Sequence, residues 1–104
     1  MKDAISPAEL QALLDEGADV KVLDVRRREH RLDVEHPIPG AEWKDPERIA
    51  EWSMDLEHHG DVVVFCVHGH NVSQGARNFL RAQGVRAHIL DGGVEAWQVF
   101  SKGS

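Results

Sequence analysis

The chain has 104 residues, of which 41% are hydrophobic and 29% are charged, and it carries a formal net charge of −6. This length predicts a single domain, residues 1–104, with one hydrophobic core. The negative charge argues against nucleic acid and anionic membranes as partners, and no apolar run is long enough to span a bilayer.

The first predicted elements are a helix and a strand. Ser6 fits an N-cap, Pro7 fits the first helical position, and Glu9 closes a capping box. Gly17 is placed to end this helix. The run 20–25 that follows is rich in valine and predicts a strand.

A polar connection separates this strand from a second helix. Residues 26–35 are mostly charged, and the two prolines and the glycine of 37–40 require a loop or turn. Residues 41–43 fit a short strand, and Asp45-Pro46 repeats the cap-and-proline signal of the first helix. The apolar face of the helix that follows is formed by Ile49, Trp52 and Leu56.

The second half of the chain repeats the alternation. Residues 62–65 are all apolar and fit a strand buried on both faces. A six-residue loop, 66–71, leads to a third helix that Gly84 can end. A short strand over 87–90, a turn at 91–93 and a last helix complete the chain. The apolar faces of these two helices are formed by Val72, Ala76, Phe79 and Leu80, and by Val94, Trp97 and Phe100.

This alternation predicts a three-layer α/β domain. We expect a parallel sheet of about five short strands with helices on both faces. Ligands of such sheets bind beyond the carboxyl ends of the strands. Cys66 lies at one of these ends, and residues 24–28 and 91–93 follow two others, so the three segments are expected to form one site.

Cys66 is the only cysteine, and it directly follows a buried strand. A thiol at the N-terminus of a helix meets unpaired N–H groups and the positive end of the helix dipole, which both favour the thiolate. The position therefore predicts a nucleophile, the alternative being an inert core cysteine. Because one cysteine forms no internal disulfide and the N-terminal segment lacks a signal-peptide core, we expect a cytoplasmic protein.

The loop after Cys66 is short and contains a glycine. The backbone N–H groups of such a loop can point inward and form an anion-binding nest. A nest of this kind would stabilise a thiolate, and it would equally hold a persulfide, whose charge lies on the outer sulfur. The predicted binding loop consists of Val67, His68, Gly69, His70, Asn71 and Val72.

Four segments of the chain resemble the rhodanese family of sulfurtransferases. They are Leu23-Asp-Val-Arg26 followed by Glu29, then His36-Pro-Ile-Pro-Gly-Ala41, the strand and loop around Cys66, and Asp91-Gly-Gly-Val-Glu-Ala-Trp97. Their order agrees with the predicted alternation of strands and helices, and together they cover nearly the whole chain. The chain is similar to the single-domain members of this family.

The resemblance implies that Cys66 takes a sulfane sulfur from a donor, thiosulfate or a persulfide, and becomes a persulfide itself. It then passes this sulfur to a thiophilic acceptor, cyanide or a thiol. No cofactor and no metal are implied, because the protein's own sulfur carries the transferred atom. The implied partners are a small-molecule donor and acceptor, with a sulfur-carrier protein as a further candidate.

Phosphatases and arsenate reductases of related fold are the closest alternative. Their loop is one residue longer and ends in an arginine that binds the oxyanion through two hydrogen bonds. The sixth and seventh positions of this loop are Asn71 and Val72, and Phe65 stands where such phosphatases usually carry a histidine. Phosphate chemistry is therefore disfavoured.

The loop contains no arginine or lysine, so we expect weak binding of thiosulfate. His68 and His70 carry little charge at pH 7. Arg27 and Arg28 follow a predicted strand on the side of the site, and they are the candidates to attract an anion.

Other side chains near these segments predict structural roles. Arg26 is expected to pair with Asp24 or Glu29, and His88 is expected to have a packing role. Trp97 falls on the apolar face of the last helix.

Two further interpretations stay open. In one, the chain is a non-catalytic rhodanese-like module in which an oxidised or persulfidated Cys66 is a signal for sulfur or redox sensing, or for binding. In the other, it is an accessory protein for metal resistance that uses Cys66, His68 and His70, with His58 and His59 as additional ligands. No second cysteine completes a zinc-like set.

Overall fold

Five parallel strands form one sheet in the computed structural model, which describes residues 3–28, 38–56, 60–67 and 71–103. The strands are β1 (Ala4–Ile5), β2 (Val20–Asp24), β3 (Glu42–Trp43), β4 (Asp61–Phe65) and β5 (Ala87–Leu90). Their order across the sheet is β1-β5-β4-β2-β3, and every neighbouring pair is parallel. The predicted α/β class is therefore confirmed.

The edge strands are the part of the sheet that the sequence predicts least well. β1 has two residues and pairs with β5 through Ala4 and Ile89. Two residues are too few for an apolar periodicity, and so the sequence does not predict β1. At the other edge, β3 is one residue shorter than predicted.

Helices cover both faces of the sheet. They are α1 (Pro7–Asp15), α2 (Ile49–Trp52), α3 (Asn71–Ala82) and α4 (Gly93–Gly103). The predicted capping box of α1 is confirmed, because the Glu9 N–H donates to Ser6 Oγ at 3.1 Å and the Ser6 N–H donates to Glu9 Oε1 at 3.2 Å. Among the described residues, no helix has the length and apolar content needed to cross a membrane.

The second predicted helix is interrupted. A 3₁₀ turn over Pro46–Arg48 precedes α2, and another over Ser53–Leu56 follows it. Asp45 caps the first turn by accepting a hydrogen bond from the Glu47 N–H at 3.0 Å. The indole N–H of Trp52 donates to the Asp45 carbonyl at 2.7 Å, which connects α2 to the start of the segment.

The sheet separates two hydrophobic clusters. In β4, Val62 and Val64 belong to one cluster, whereas Val63 and Phe65 belong to the other. Successive side chains of a strand point to opposite faces, and all four of these residues have no exposed surface. The predicted strand buried on both faces is therefore confirmed, and its carboxyl end leads directly to Cys66.

Candidate active site

The segments that follow β2, β4 and β5 meet at one edge of the sheet. The Val25 N–H donates to the Phe65 carbonyl at 2.9 Å, and the Val94 N–H donates to the Cys66 carbonyl, also at 2.9 Å. Backbone hydrogen bonds thus connect the cysteine segment to its neighbours on both sides. The expected gathering of three segments at the carboxyl edge is confirmed.

Cys66 is buried, although less completely than the strand that precedes it. Its exposure is 7%, whereas residues 62–65 are at 0%. Its Sγ lies 3.3 Å from the hydroxyl oxygen of Ser73, a side chain with no exposed surface. The thiol donates to this hydroxyl, and once the thiol is ionised the same hydroxyl can turn and donate to the thiolate.

Ser73 is a site residue that the sequence analysis missed. It lies in the first turn of α3, so the positive end of the helix dipole is close to Sγ. Ser73, Ala76 and Leu80 are the buried residues of this helix and have the spacing i, i+3, i+7 of one helical face. A serine on this otherwise apolar stripe is the signal that could have revealed it, because a buried hydroxyl needs a partner.

The face that α3 buries is rotated slightly from the predicted one. Of the predicted residues, Ala76 and Leu80 are buried, and Val72 is partly buried but packs against the same core cluster, whereas Phe79 is only partly buried. The helical face that packs against the sheet begins at Ser73, one residue later than predicted. This rotation brings the Ser73 hydroxyl to Cys66 and leaves Val72 and Phe79 beside a cleft.

The N-terminus of α4 holds the backbone of the cysteine segment. The Val94 N–H binds the Cys66 carbonyl, and the Glu95 N–H binds the Val67 carbonyl at 3.2 Å. Gly92 allows this approach at φ +76°, where an added Cβ would lie 2.5 Å from the Cβ of Ala96. The helix thus uses N–H groups that have no partner within it to hold the residue that carries the thiol.

A buried ion pair supports the neighbouring segment. Arg26 Nη2 lies 2.7 Å from Asp24 Oδ2, and Arg26 Nε lies 2.9 Å from Asp24 Oδ1. Both side chains are at least 98% buried. The Arg26 carbonyl also accepts a hydrogen bond from the Trp43 indole at 2.9 Å. The predicted pairing of Arg26 with Asp24 is confirmed; the alternative partner, Glu29, lies outside the described residues.

The two arginines that were candidates to attract an anion differ in their surroundings. Arg28 lies 3.5 Å from the carboxylate of Asp45. Arg27 lines a cleft of about 320 Å³ beside the N-terminal half of α3. Its guanidinium forms no ion pair with any residue that the structure describes, so Arg27 is the better placed of the two.

The predicted binding loop is described only at its ends. Val67 is half-buried, Asn71 is exposed and is already the first residue of α3, and Val72 is half-buried. Residues 68–70, which include both loop histidines, lie outside the described part of the chain. The anion-binding nest stays a prediction.

The histidines of the alternative metal interpretation, at 58, 59, 68 and 70, are all outside the described ranges. Within those ranges, no three histidine, cysteine or carboxylate side chains come together in a way that could hold a metal ion. His88 lies in β5, is buried, and has its Nε2 3.0 Å from Asp61 Oδ1. Its burial agrees with the predicted packing role, whereas its contact with the Asp61 carboxylate was not predicted.

A comparison with protein-family models agrees with this geometry. The model of the rhodanese-like domain matches residues 6–99. The chain is a rhodanese-like domain. No curated protein matches its sequence significantly.

Solved structures share the fold of this rhodanese-like domain. A rhodanese-like domain protein of Staphylococcus aureus is 26% identical, with a TM-score of 0.79 over 92% of this chain and 91% of that one. A rhodanese homolog of Thermus thermophilus is 36% identical, with a TM-score of 0.65 over 89% and 98%. A thiosulfate sulfurtransferase of Pseudomonas aeruginosa is 25% identical with a TM-score of 0.79, and the match covers 97% of this chain but only 19% of that protein.

Proposed function

We propose that this rhodanese-like domain is a sulfurtransferase in which Cys66 carries the transferred sulfur as a persulfide. The contact between Cys66 Sγ and the buried Ser73 hydroxyl is the observation that carries the proposal. A cysteine whose only role is packing needs no polar partner. A hydroxyl that can donate to sulfur, together with a helix N-terminus, provides the conditions that favour a nucleophilic thiolate.

The first half-reaction loads the sulfur. The Cys66 thiolate attacks the sulfane sulfur of thiosulfate and forms a new S–S bond. The S–S bond of the donor breaks, and sulfite leaves with its electron pair. The enzyme is then a persulfide anion, whose charge lies one atom beyond Sγ. Sulfur has only moved between partners, so no external oxidant or reductant is needed.

The second half-reaction transfers the sulfur to an acceptor. Cyanide attacks the outer sulfur of the persulfide, the bond between that sulfur and Sγ breaks, and thiocyanate leaves. The electron pair returns to Sγ, which is again a thiolate. The Ser73 hydroxyl is placed to donate to Sγ at this step, when the charge returns to it.

Intact-mass measurement tests both half-reactions separately. Protein incubated with thiosulfate should gain one sulfur atom, and cyanide should remove it with release of thiocyanate. Cys66→Ala is a clean control, because the chain has no other cysteine. If no sulfane donor produces an adduct on Cys66, the proposal is refuted.

A second candidate function follows from the burial of the thiol. With 7% exposure, Cys66 is accessible to few acceptors, and this favours a sensing module that is modified and then persists in that state. The same experiment separates the two functions. An adduct that forms but is not discharged by cyanide or thiols supports the sensor and contradicts the enzyme.

A further inference from the structure

The cleft that Arg27 lines adjoins the first turn of α3. Its volume is about 320 Å³, at the lower end of the range for small-molecule sites. One wall is a stripe of α3 formed by Val72, Gly75 and Phe79, at positions i, i+3 and i+7. Ile49 of α2 adds an apolar side chain. The cleft therefore has an apolar wall suited to a short hydrocarbon chain.

Two opposite charges line the same cleft. Arg27 and Glu47 are both exposed, and both also line a smaller cavity of about 90 Å³ beside it. Among the described residues neither forms an ion pair, and they do not pair with each other. The cation and the carboxylate are both available to a ligand.

The charged neighbours of these two residues are already engaged. Arg28 lies 3.5 Å from the Asp45 carboxylate, and Arg48 lies 3.6 Å from that of Glu51. Local pairing thus uses two cations and two carboxylates of this surface. Arg27 remains as a single cation, and among the described residues that line the cleft, Glu47 carries the carboxylate.

The cleft borders the helical turn that contacts the thiol. Asn71 and Val72 line it and belong to the first turn of α3. Ser73, in the same turn, contacts Cys66 Sγ. Arg27 follows Arg26, whose buried ion pair holds the segment after β2. A ligand in the cleft would therefore lie beside the same helical turn that contacts the thiol.

We propose that this cleft binds the sulfur acceptor, and that the acceptor is a small thiol with both a carboxylate and an ammonium group. Arg27 binds the carboxylate, Glu47 binds the ammonium, and the apolar wall contacts the carbon chain. Amino-acid and short-peptide thiols have this chemistry. The inference rests on the proposed sulfurtransferase function and defines the acceptor of that same site.

The charges also argue against the small anions as the ligands of this cleft. Glu47 repels a dianion such as thiosulfate, and the net charge of −6 adds to this repulsion. Cyanide has neither group and no carbon chain for the apolar wall to contact. A ligand with both charges satisfies Arg27 and Glu47 together.

The transfer step balances without a further reactant. The thiolate of the bound acceptor attacks the outer sulfur of the Cys66 persulfide and forms a new S–S bond. The bond between the outer sulfur and Sγ breaks, and its electron pair returns to Cys66 as the thiolate. The acceptor leaves as a persulfide.

Four small thiols with different charged groups test the proposal. They are cysteine with both groups, 3-mercaptopropionate with the carboxylate, cysteamine with the ammonium, and 2-mercaptoethanol with neither. Persulfidated protein is mixed with each thiol, and kcat/KM for sulfur transfer is measured. Since the thiols differ in intrinsic reactivity, the readout for each thiol is the ratio of variant to wild type.

Arg27→Gln should lower kcat/KM about threefold to tenfold for cysteine and 3-mercaptopropionate, and much less for the other two thiols. Glu47→Gln should lower kcat/KM by the same factor for the two thiols that carry the ammonium group, cysteine and cysteamine. Arg48→Gln and Glu51→Gln are matched controls, because they remove the same charges nearby but do not line the cleft. Gly75→Leu, at a position where an added Cβ meets no atom within 4 Å, should raise KM for every thiol.

Two results would overturn the proposal. The first is that the ratio of variant to wild-type kcat/KM for Arg27→Gln and Glu47→Gln is the same for all four thiols, or equals the ratio for the control variants Arg48→Gln and Glu51→Gln. The other is an unchanged KM in Gly75→Leu. If cyanide still discharges the persulfide in that case, only the acceptor site is wrong. If no persulfide forms at all, the proposed function fails with it.

Discussion

Replacing Ser73 with alanine removes the one described side-chain hydrogen bond of the Cys66 sulfur. The Oγ–Sγ distance is 3.3 Å, and Ser73 has no exposed surface. A buried position gives water little access to replace the lost hydroxyl. The thiolate of the variant should therefore lose a donor that nothing compensates.

The magnitude follows from the kind of hydrogen bond. Hydrogen bonds to charged groups contribute roughly 1.5–3 kcal/mol, and sulfur is a weak acceptor. We therefore take the lower end, about 1.5 kcal/mol, for the Ser73–Cys66 contact. Since about 1.4 kcal/mol corresponds to a factor of ten, Ser73→Ala should slow a reaction of the Cys66 thiolate about tenfold.

The rate of alkylation by iodoacetamide measures this effect directly, because the thiolate is the reacting form. We expect Ser73→Ala to react about tenfold more slowly at neutral pH and to form the persulfide more slowly in the same proportion. Ser53→Ala is the matched control. Its serine is 3% exposed, and its hydroxyl donates to the Ala50 carbonyl rather than to sulfur.

The two variants separate chemistry from stability. Each loses one buried hydroxyl, so each should lose about 1 kcal/mol of unfolding free energy, while only Ser73→Ala should slow alkylation. Equal alkylation rates in Ser73→Ala and Ser53→Ala would refute the role of the Ser73 hydroxyl in stabilising the thiolate.

Three other predictions concern the support of the site. Arg26→Ala should cost about 3–5 kcal/mol of unfolding free energy in denaturant titration, because it leaves Asp24 buried without its counterion; a loss below 1 kcal/mol would contradict this. Gly92→Ala should lower sulfur-transfer activity and cost at least about 1–2 kcal/mol, since the residue has φ +76°, and unchanged activity would argue against α4 as the support of the cysteine segment. Asp61→Asn should cost about 0.5–1.5 kcal/mol at pH 7, because the hydrogen bond from His88 lowers the pKa of this carboxyl below its ordinary value. The ionised Asp61 carboxylate stabilises the wild type above its ordinary pKa, and this contribution is lost as the pH falls through the lowered pKa of the folded state. The difference in unfolding free energy between Asp61→Asn and wild type should therefore narrow below about pH 4, and a difference that stays constant with pH would contradict the prediction.

Local signals in the sequence determined much of the fold. The capping box of Ser6 and Glu9 depends on residues three apart, and the burial of 62–65 follows from four consecutive apolar side chains. The pairing of Arg26 with Asp24 spans two residues. Because a strand followed by a helix places its last residue at the carboxyl edge, the position of Cys66 could also be predicted.

Tertiary packing decided the rest. Helical periodicity defines an apolar face only to within one residue, and the structure selected the face with Ser73 instead of the one with Phe79. That choice produced the contact with Cys66 and the wall of the cleft. Likewise, Arg27 and Glu47 are 20 positions apart in the chain, and only the tertiary fold brings them to one cleft. Such juxtapositions come from contacts between elements, which no local pattern of residues encodes.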